Sequence, residues 1–317
     1  MRTRAFILAL ALALAVLTPD ACTAGSLLGI GHSGTNYVAG RDDGSVSRAG
    51  AGGTTWAIYT TGGTTTLHGV AHLAGVFVAV GAGGRIVRSS NGGIAWSGET
   101  SGTTATLRGV AAHGIYLVAV GDAGTTLRRT STQTVWSTTS SPVSTALYGV
   151  ASNGSILIAV GDAGTVLRST DQGLSWSAVT ISGSPDLRAV AARASLFVAV
   201  GLDGVILRST DSGVTWNSVT SPTSADLLGV AASPDRFVAV GVAGTIVRGG
   251  STAASGSWFD VSVDLGVTLH AVLHDGADFY ATGDLDLVLR SNDGTSWLNV
   301  PVTSMRWGDV KRRFRVH

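Results

Sequence analysis

From residue 26 onward the chain alternates short apolar runs with small, polar turns, and the alternation keeps one period. Residues 187–226 show the unit. Leu187-Arg188-Ala189-Val190-Ala191 and Leu196-Phe197-Val198-Ala199-Val200 read as two strands, the second rich in residues that suit a pleated, buried surface. Gly201-Leu202-Asp203-Gly204 is a tight turn before a third strand, Val205-Ile206-Leu207-Arg208. A second turn, Ser209 to Gly213, precedes a fourth strand over Val214 to Val219. Beyond the N-terminal leader, no segment has the length and 3.6-residue spacing of a helix.

Three markers repeat in phase. Tryptophans fall at Trp56, Trp96, Trp136, Trp176, Trp216, Trp258 and Trp297, at intervals of 40, 40, 40, 40, 42 and 39 residues. Arginines keep the same beat at Arg48, Arg88, Arg128, Arg168, Arg208, Arg248 and Arg290. A small residue followed by an aliphatic one recurs from Gly29-Ile30 to Ala271-Val272. A lone four-stranded meander of this kind exposes two apolar faces; neighbours on both sides and a closed ring bury them. The expectation is therefore an all-β, seven-bladed β-propeller of four-stranded antiparallel blades over residues 26–303.

Composition agrees: 44% hydrophobic residues, 13% charged, 44 glycines and only 6 prolines suit many tight hairpins in one globular body. The ends differ from the middle. Arg2 and Arg4 followed by the apolar run Ala5 to Leu17 read as an export leader over residues 1–24, too short for a comfortable membrane span. A second reading ends the leader at Cys22, the only cysteine, as a lipid-bearing residue and thus the one expected link to a membrane. Either way the expected location is outside the cytoplasm: periplasmic, secreted or on the cell surface. Residues 304–317 form a tail with Arg306, Lys311, Arg312, Arg313 and Arg315, read either as a solvated end or as a contact for an anionic surface.

Removing Arg2, Arg4 and Asp20 with the leader takes the formal charge from +1 to zero, which leaves no electrostatic footprint for nucleic acid. Nor does any motif call for a cofactor. The chain holds one glutamate, Glu99, on an outermost strand far from a central cleft, and no Gly-x-Ser-x-Gly elbow.

The turns ahead of the tryptophans carry a resemblance. Ser169-Thr170-Asp171-Gln172-Gly173-Leu174-Ser175-Trp176 and Ser209-Thr210-Asp211-Ser212-Gly213-Val214-Thr215-Trp216 follow the pattern Ser-x-Asp-x-Gly-x-x-Trp. Ser89 to Trp96 keeps it with Asn91 for the aspartate, Ser291 to Trp297 keeps Asp293 one residue shorter, and the other three copies are degenerate. With the Val-Ala-Val-Gly hairpins, the chain resembles the bacterial neuraminidase (BNR, or Asp-box) repeat superfamily, and within it the photosystem II assembly and stability factor-like propellers. The resemblance implies the sialidase-like propeller fold and a structural role for Ser169, Asp171, Gly173, Trp176, Ser209, Asp211, Gly213 and Trp216. It spans enzymes and non-enzymes, so it does not choose a function. A sialidase-like glycoside hydrolase is the alternative to a binding scaffold, but its acid, Glu and Tyr requirements find little here.

Positions that differ between copies point to a site. The second residue of strand one runs Leu28, His68, Arg108, Tyr148, Arg188, Leu228, His270, and the residue after the strand-two glycine (after Arg41 in the first copy) runs Asp42, Ala82, Asp122, Asp162, Leu202, Val242, Asp284. Strand one should line the channel, and antiparallel pairing puts both positions at one mouth. His68, Arg108, Tyr148, Arg188, His270, Asp122, Asp162 and Asp284 are thus expected either to pair within blades (Arg108 with Asp122, Tyr148 with Asp162, His270 with Asp284) or to form a binding face for a protein or carbohydrate partner. The chain is expected to work as a monomer. His32, His72 and His274 share one register position in adjacent blades on the opposite face, where His113 lies one step further along; they could hold a metal ion only if they converged, which loop histidines of separate blades usually do not, so no metal is expected.

Overall fold

The computed structural model describes residues 25–263 and 265–303. The expected leader, residues 1–24, and the basic tail, residues 304–317, lie outside the described residues. Seven sheets follow one another along the chain, each built from four consecutive antiparallel strands in sequence order. Blade 5 is typical, with strands Leu187–Arg193, Leu196–Gly201, Ile206–Ser209 and Asn217–Val219. Strand one runs two residues further than its apolar core suggested, and strand four begins only after Trp216. The helical turns among the described residues are single three-residue 3-10 turns, such as Leu202–Gly204. The seven-bladed, all-β expectation holds.

The continuous apolar character of strand two follows from its position between two neighbours. Successive side chains of a strand point to opposite faces. Phe197 and Ala199 pack with Ile158 and Val160 of blade 4, whereas Val198 packs with Phe237 and Ala239 of blade 6. Both faces are covered, so no polar alternation survives. Blades 7 and 1 join in the same way through Tyr280 and Val288 against Tyr37, Ala39 and Trp56. The core is thus a ring of seven inter-blade clusters rather than one central mass.

Close approach at the hub dictates small residues there. A Cβ on Gly29 would lie 2.2 Å from the backbone oxygen of His68 in the next blade. Side chains that line the channel must therefore come from the positions flanking these small residues, which is where the variable residues sit.

The repeated Ser-x-Asp-x-Gly turns share one hydrogen-bond plan. Asp211 accepts from the amides of Val214 (3.0 Å) and Thr215 (2.9 Å), and the Gly213 amide donates to Ser209 Oγ at 2.9 Å. Gly213 takes φ +80°, a left-handed conformation that suits glycine. Asp171 and Gly173 repeat the plan with Ser169, Leu174 and Ser175. Burial works against ionisation of Asp211, yet the bonds from Thr215, Ser209 and Val214 outweigh it and hold the carboxyl down at about 2. Trp176 and Trp216 are buried against the strands that they cover.

The repeated arginines join blades. Arg48 Nε donates to the Gly92 carbonyl (2.6 Å), Arg168 Nε to Ser212 (2.9 Å), Arg208 Nε to Thr252 (2.6 Å) and Arg248 Nε to Asp293 (3.2 Å), while Arg128 reaches the carbonyls of Asp171 and Gln172. Each acceptor lies in the turn of the following blade. Two seams lack this staple. Between blades 2 and 3, Arg88 instead faces Glu99 at 3.6 Å. Between blades 7 and 1, Arg290 turns to the Asp278 carboxylate of its own blade at 2.6 Å.

Both seams are held by other chemistry. Glu99, 1% exposed, forms an ion pair with the buried Arg129 of blade 3 at 3.0 Å and accepts from Trp136 Nε1 at 2.8 Å. At the 7–1 seam Tyr280 Oη donates to the Gly52 carbonyl (3.1 Å), Tyr37 Oη donates to Asp275, and buried Arg41 pairs with Asp286. Burial, with Asp275 and Tyr280 alongside, pushes the Tyr37 hydroxyl well above the ordinary phenol range. Val302–Thr303 adds a parallel strand to the outer edge of blade 1, with Val302 opposite Trp56. Parallel bridges Thr100–Val135 and Ser140–Ser175 do the same at the seams from blade 2 to 3 and from blade 3 to 4.

Candidate functional site

Strand one of every blade lines a central channel of about 320 Å³. Each begins at one mouth, because its first residue pairs with the residue that ends strand two: a glycine in six blades, as in Leu147 with Gly161, Leu187 with Gly201 and Leu269 with Gly283, and Arg41 opposite Leu27 in blade 1. His68, Arg108, Tyr148, Arg188 and His270 all line the channel at this end.

The within-blade pairs form. Arg108 holds Asp122 with two bonds, Nε to Oδ1 at 2.5 Å and Nη2 to Oδ2 at 3.1 Å. Tyr148 donates to Asp162 at 3.3 Å, and His270 Nε2 lies 2.7 Å from Asp284, which also accepts from Ser26 Oγ at 2.8 Å. A cross-blade arrangement is superimposed on these pairs. Arg188 leaves its own blade and reaches Asp162 at 2.8 Å, while keeping Asp186 at 3.8 Å. Its guanidinium sits 4.1 Å from the Tyr148 ring centroid, and that of Arg108 sits 4.7 Å from the same ring. Tyr148 is thus in contact with two cations drawn from the blades on either side.

The local electrostatics follow from this packing. Burial raises the Tyr148 hydroxyl pKa, although Arg188 and Arg108 oppose it. Burial lowers that of His68, helped by the Arg108 charge and opposed by Asp122, so its imidazole is neutral at neutral pH. For Asp284 burial works upward, but the bonds from His270 and Ser26 prevail and keep it below the ordinary carboxylate value. Side chains of Arg108 and Arg188 remain 30% and 17% exposed, so a ligand can reach them without dismantling the site.

The three register-sharing histidines each pack on their own blade. His32 stacks on Tyr37 (centroids 4.3 Å), His72 packs against Phe77 (4.9 Å) and His274 against Phe279 (4.7 Å). Nδ1 of His32 and of His274 accepts from the amide two residues on. Each ring is claimed by its own blade's aromatic residue, and among the described residues no three His, Cys, Asp or Glu side chains come together as a metal-holding group. His113 is buried and bonds Ser152 Oγ at 2.7 Å. Glu99, as the sequence placed it, lies in an outermost strand, Ser97–Glu99, and its carboxylate is taken up by Arg129, Arg88 and Trp136.

Charge separates between the two ends of the ring. At the mouth end, the strand two-to-three turns carry Asp42, Asp43, Asp122, Asp162, Asp203, Asp284 and Asp286, the blade connections add Asp186 and Asp226, and strand four of blade 6 ends in Asp260, against Arg41, Arg85, Arg108 and Arg188. At the other end Asp171, Asp211, Asp235, Asp275, Asp278 and Asp293 face ten arginines: Arg48, Arg88, Arg128, Arg129, Arg168, Arg193, Arg208, Arg236, Arg248 and Arg290.

Fold and channel together define a seven-bladed β-propeller with a polar, acid-rich mouth. No protein-family model and no curated protein matches the chain. Among solved structures it is similar to YCF48 bound to D1 peptide, with 16% identity and a TM-score of 0.69 over 88% of this chain and 98% of that one. It is similar also to YCF48 from Cyanidioschyzon merolae (15%, TM-score 0.69, 87% and 97%). A third similar structure is catalytically inactive virginiamycin B lyase from Staphylococcus aureus with quinupristin (14%, TM-score 0.74, 87% and 97%). At these identities the likeness is one of fold.

Proposed function

We propose that this protein is an exported, non-catalytic scaffold that captures a protein partner at the channel mouth. The observation that carries the reading is the Arg108–Tyr148–Arg188 stack. Its members come from three successive blades, are fixed by Asp122 and Asp162, and stay accessible. Arginine and tyrosine dominate binding hot spots, and a cluster already locked in place loses little entropy when a partner arrives. One of its structural neighbours is YCF48 with a bound D1 peptide, which supports a peptide or protein as the ligand class. The Ser-x-Asp-x-Gly turns support reading the chain as a BNR-type propeller, and the leader Arg2 to Leu17 supports export.

The test compares the protein with its Arg108→Ala/Tyr148→Ala/Arg188→Ala variant as bait in the exported fraction. Each truncated hot-spot residue is worth about 2 kcal/mol or more, so the variant's affinity for the captured partner should fall at least ~30-fold. The fold should stay intact, since none of the three belongs to an inter-blade core cluster. Equal capture by a folded variant would refute the reading.

A further inference from the structure

The end of the ring away from the mouth carries an arc of exposed aliphatic side chains. Ile94, Leu174 and Val214 each stand two residues ahead of a blade tryptophan, in the strand three-to-four turns of blades 2, 4 and 5. In blade 3 the same turn presents Val135, and the strand one-to-two turn adds Ile115. All five are at least half exposed, and they make up five of the nine large apolar residues exposed among the described residues. The positions equivalent to Ile94 in blades 1, 6 and 7 hold Thr54, Gly256 and Thr295, so the arc covers one side of the ring only. Cations stand between the tips. Arg48, Arg128 and Arg168 donate to the carbonyls of Gly92, Gln172 and Ser212, which lie two residues before Ile94, Leu174 and Val214. Arg168 and Val214 line one groove. Because these acceptors are neutral carbonyls, the bonds leave the guanidinium charges uncompensated.

We infer that this arc seats the propeller on an anionic lipid surface, with the channel mouth turned away from it. Charge selects the surface. Among the described residues, ten arginines against six aspartates and Glu99 leave this end near +3, while ten aspartates against four arginines leave the mouth end near −6. An anionic bilayer attracts the first and repels the second, which sets the orientation as well as the contact. The form of the arc selects a bilayer over a protein. A protein interface packs around a contiguous apolar core. Here the apolar tips belong to separate turns with guanidinium groups between them, the pattern by which amphipathic surfaces enter the boundary between headgroups and acyl chains. The contact needs neither a lipid at Cys22 nor capture at the mouth, and it leaves Arg108, Tyr148 and Arg188 on the side open to solvent.

The test sediments the full chain, produced without lipidation, with vesicles of phosphatidylcholine alone or of phosphatidylcholine and phosphatidylglycerol in equal parts. Association is expected with the anionic vesicles only and should fall several-fold in about 0.5 M salt. An Ile94→Ser/Leu174→Ser/Val214→Ser variant keeps every arginine staple and should bind at least ~10-fold more weakly, because it has less apolar surface to bury. Its fold should survive, since none of the three belongs to an inter-blade cluster, and thermal unfolding checks this. Leu285→Ser removes a comparably exposed apolar side chain at the mouth end and should bind as the parent does. The inference is overturned if the chain ignores anionic vesicles, which would leave the arc to a protein partner, or if it binds phosphatidylcholine alone equally well. Undiminished binding by the folded triple variant overturns it too, as does a loss in Leu285→Ser as large as the triple's. Since no protein partner enters the readout, these outcomes are separate from failure of the capture experiment.

Discussion

Glu99→Ala is expected to destabilise the protein by about 3–5 kcal/mol, the usual cost of stranding one member of a buried ion pair. Arg129 is fully buried between blades 2 and 3, and Glu99 is the carboxylate that compensates it. Burial already pulls the Arg129 pKa down, and Glu99 is the main influence holding it up. The substitution also frees the indole N–H of Trp136, which at Trp56, Trp96 and Trp216 bonds a turn carbonyl instead. Thermal unfolding should show a midpoint lower by on the order of 10 °C. A Glu99→Met/Arg129→Met double variant should recover part of the loss, because it removes the stranded charge and fills the volume. A loss below about 1 kcal/mol for Glu99→Ala would mean that this seam is held by its apolar contacts alone.

The second large effect belongs to the other seam without an arginine–carbonyl staple. Arg41→Ala leaves Asp286 facing a void beside Ser47 and should cost about 3 kcal/mol, the lower end of the range because Asp286 is partly exposed. The location matters more than the amount. Asp286 donates its amide to the Gly25 carbonyl, and Ser26 bonds Asp284, so this pair ties the start of the ring to its last blade. Hydrogen exchange in the variant should therefore accelerate first in strands Leu27–His32 and Phe279–Gly283, with Leu157–Gly161 and Leu196–Gly201 unchanged at native conditions. Uniform acceleration around the ring would show that closure does not depend on this pair.

How much of this could be read from the residues alone follows the physics of repeats. The 40-residue beat of tryptophan and arginine gave the blades, since period and strand number are local properties. Pairs within one blade, such as Arg108 with Asp122, were legible because antiparallel register fixes them. The reach of Arg188 to Asp162 was not, because it depends on the angle between neighbouring blades, which no register rule supplies. The sequence did carry a signal for the Glu99 seam. Arg129 stands where the other copies have Ala49, Ser89, Ser169, Ser209, Gly249 and Ser291, and a lone arginine at a buried register position demands a buried carboxylate. Shared register puts His32, His72 and His274 at one level near the far end of strand one, but which neighbour each ring packs on is a tertiary matter, and each packs on its own blade's aromatic residue.

The mouth as the place where a partner is held is tested most directly by a photoreactive side chain. A benzoylphenylalanine at Leu228 lines the same mouth as Arg108 and Tyr148 without removing any member of the stack. One at Val214 projects from a turn at the opposite end. Irradiation with the captured partner present should conjugate it to the Leu228 probe and leave the Val214 probe unreacted. Conjugation through Val214 with none through Leu228 would contradict the account.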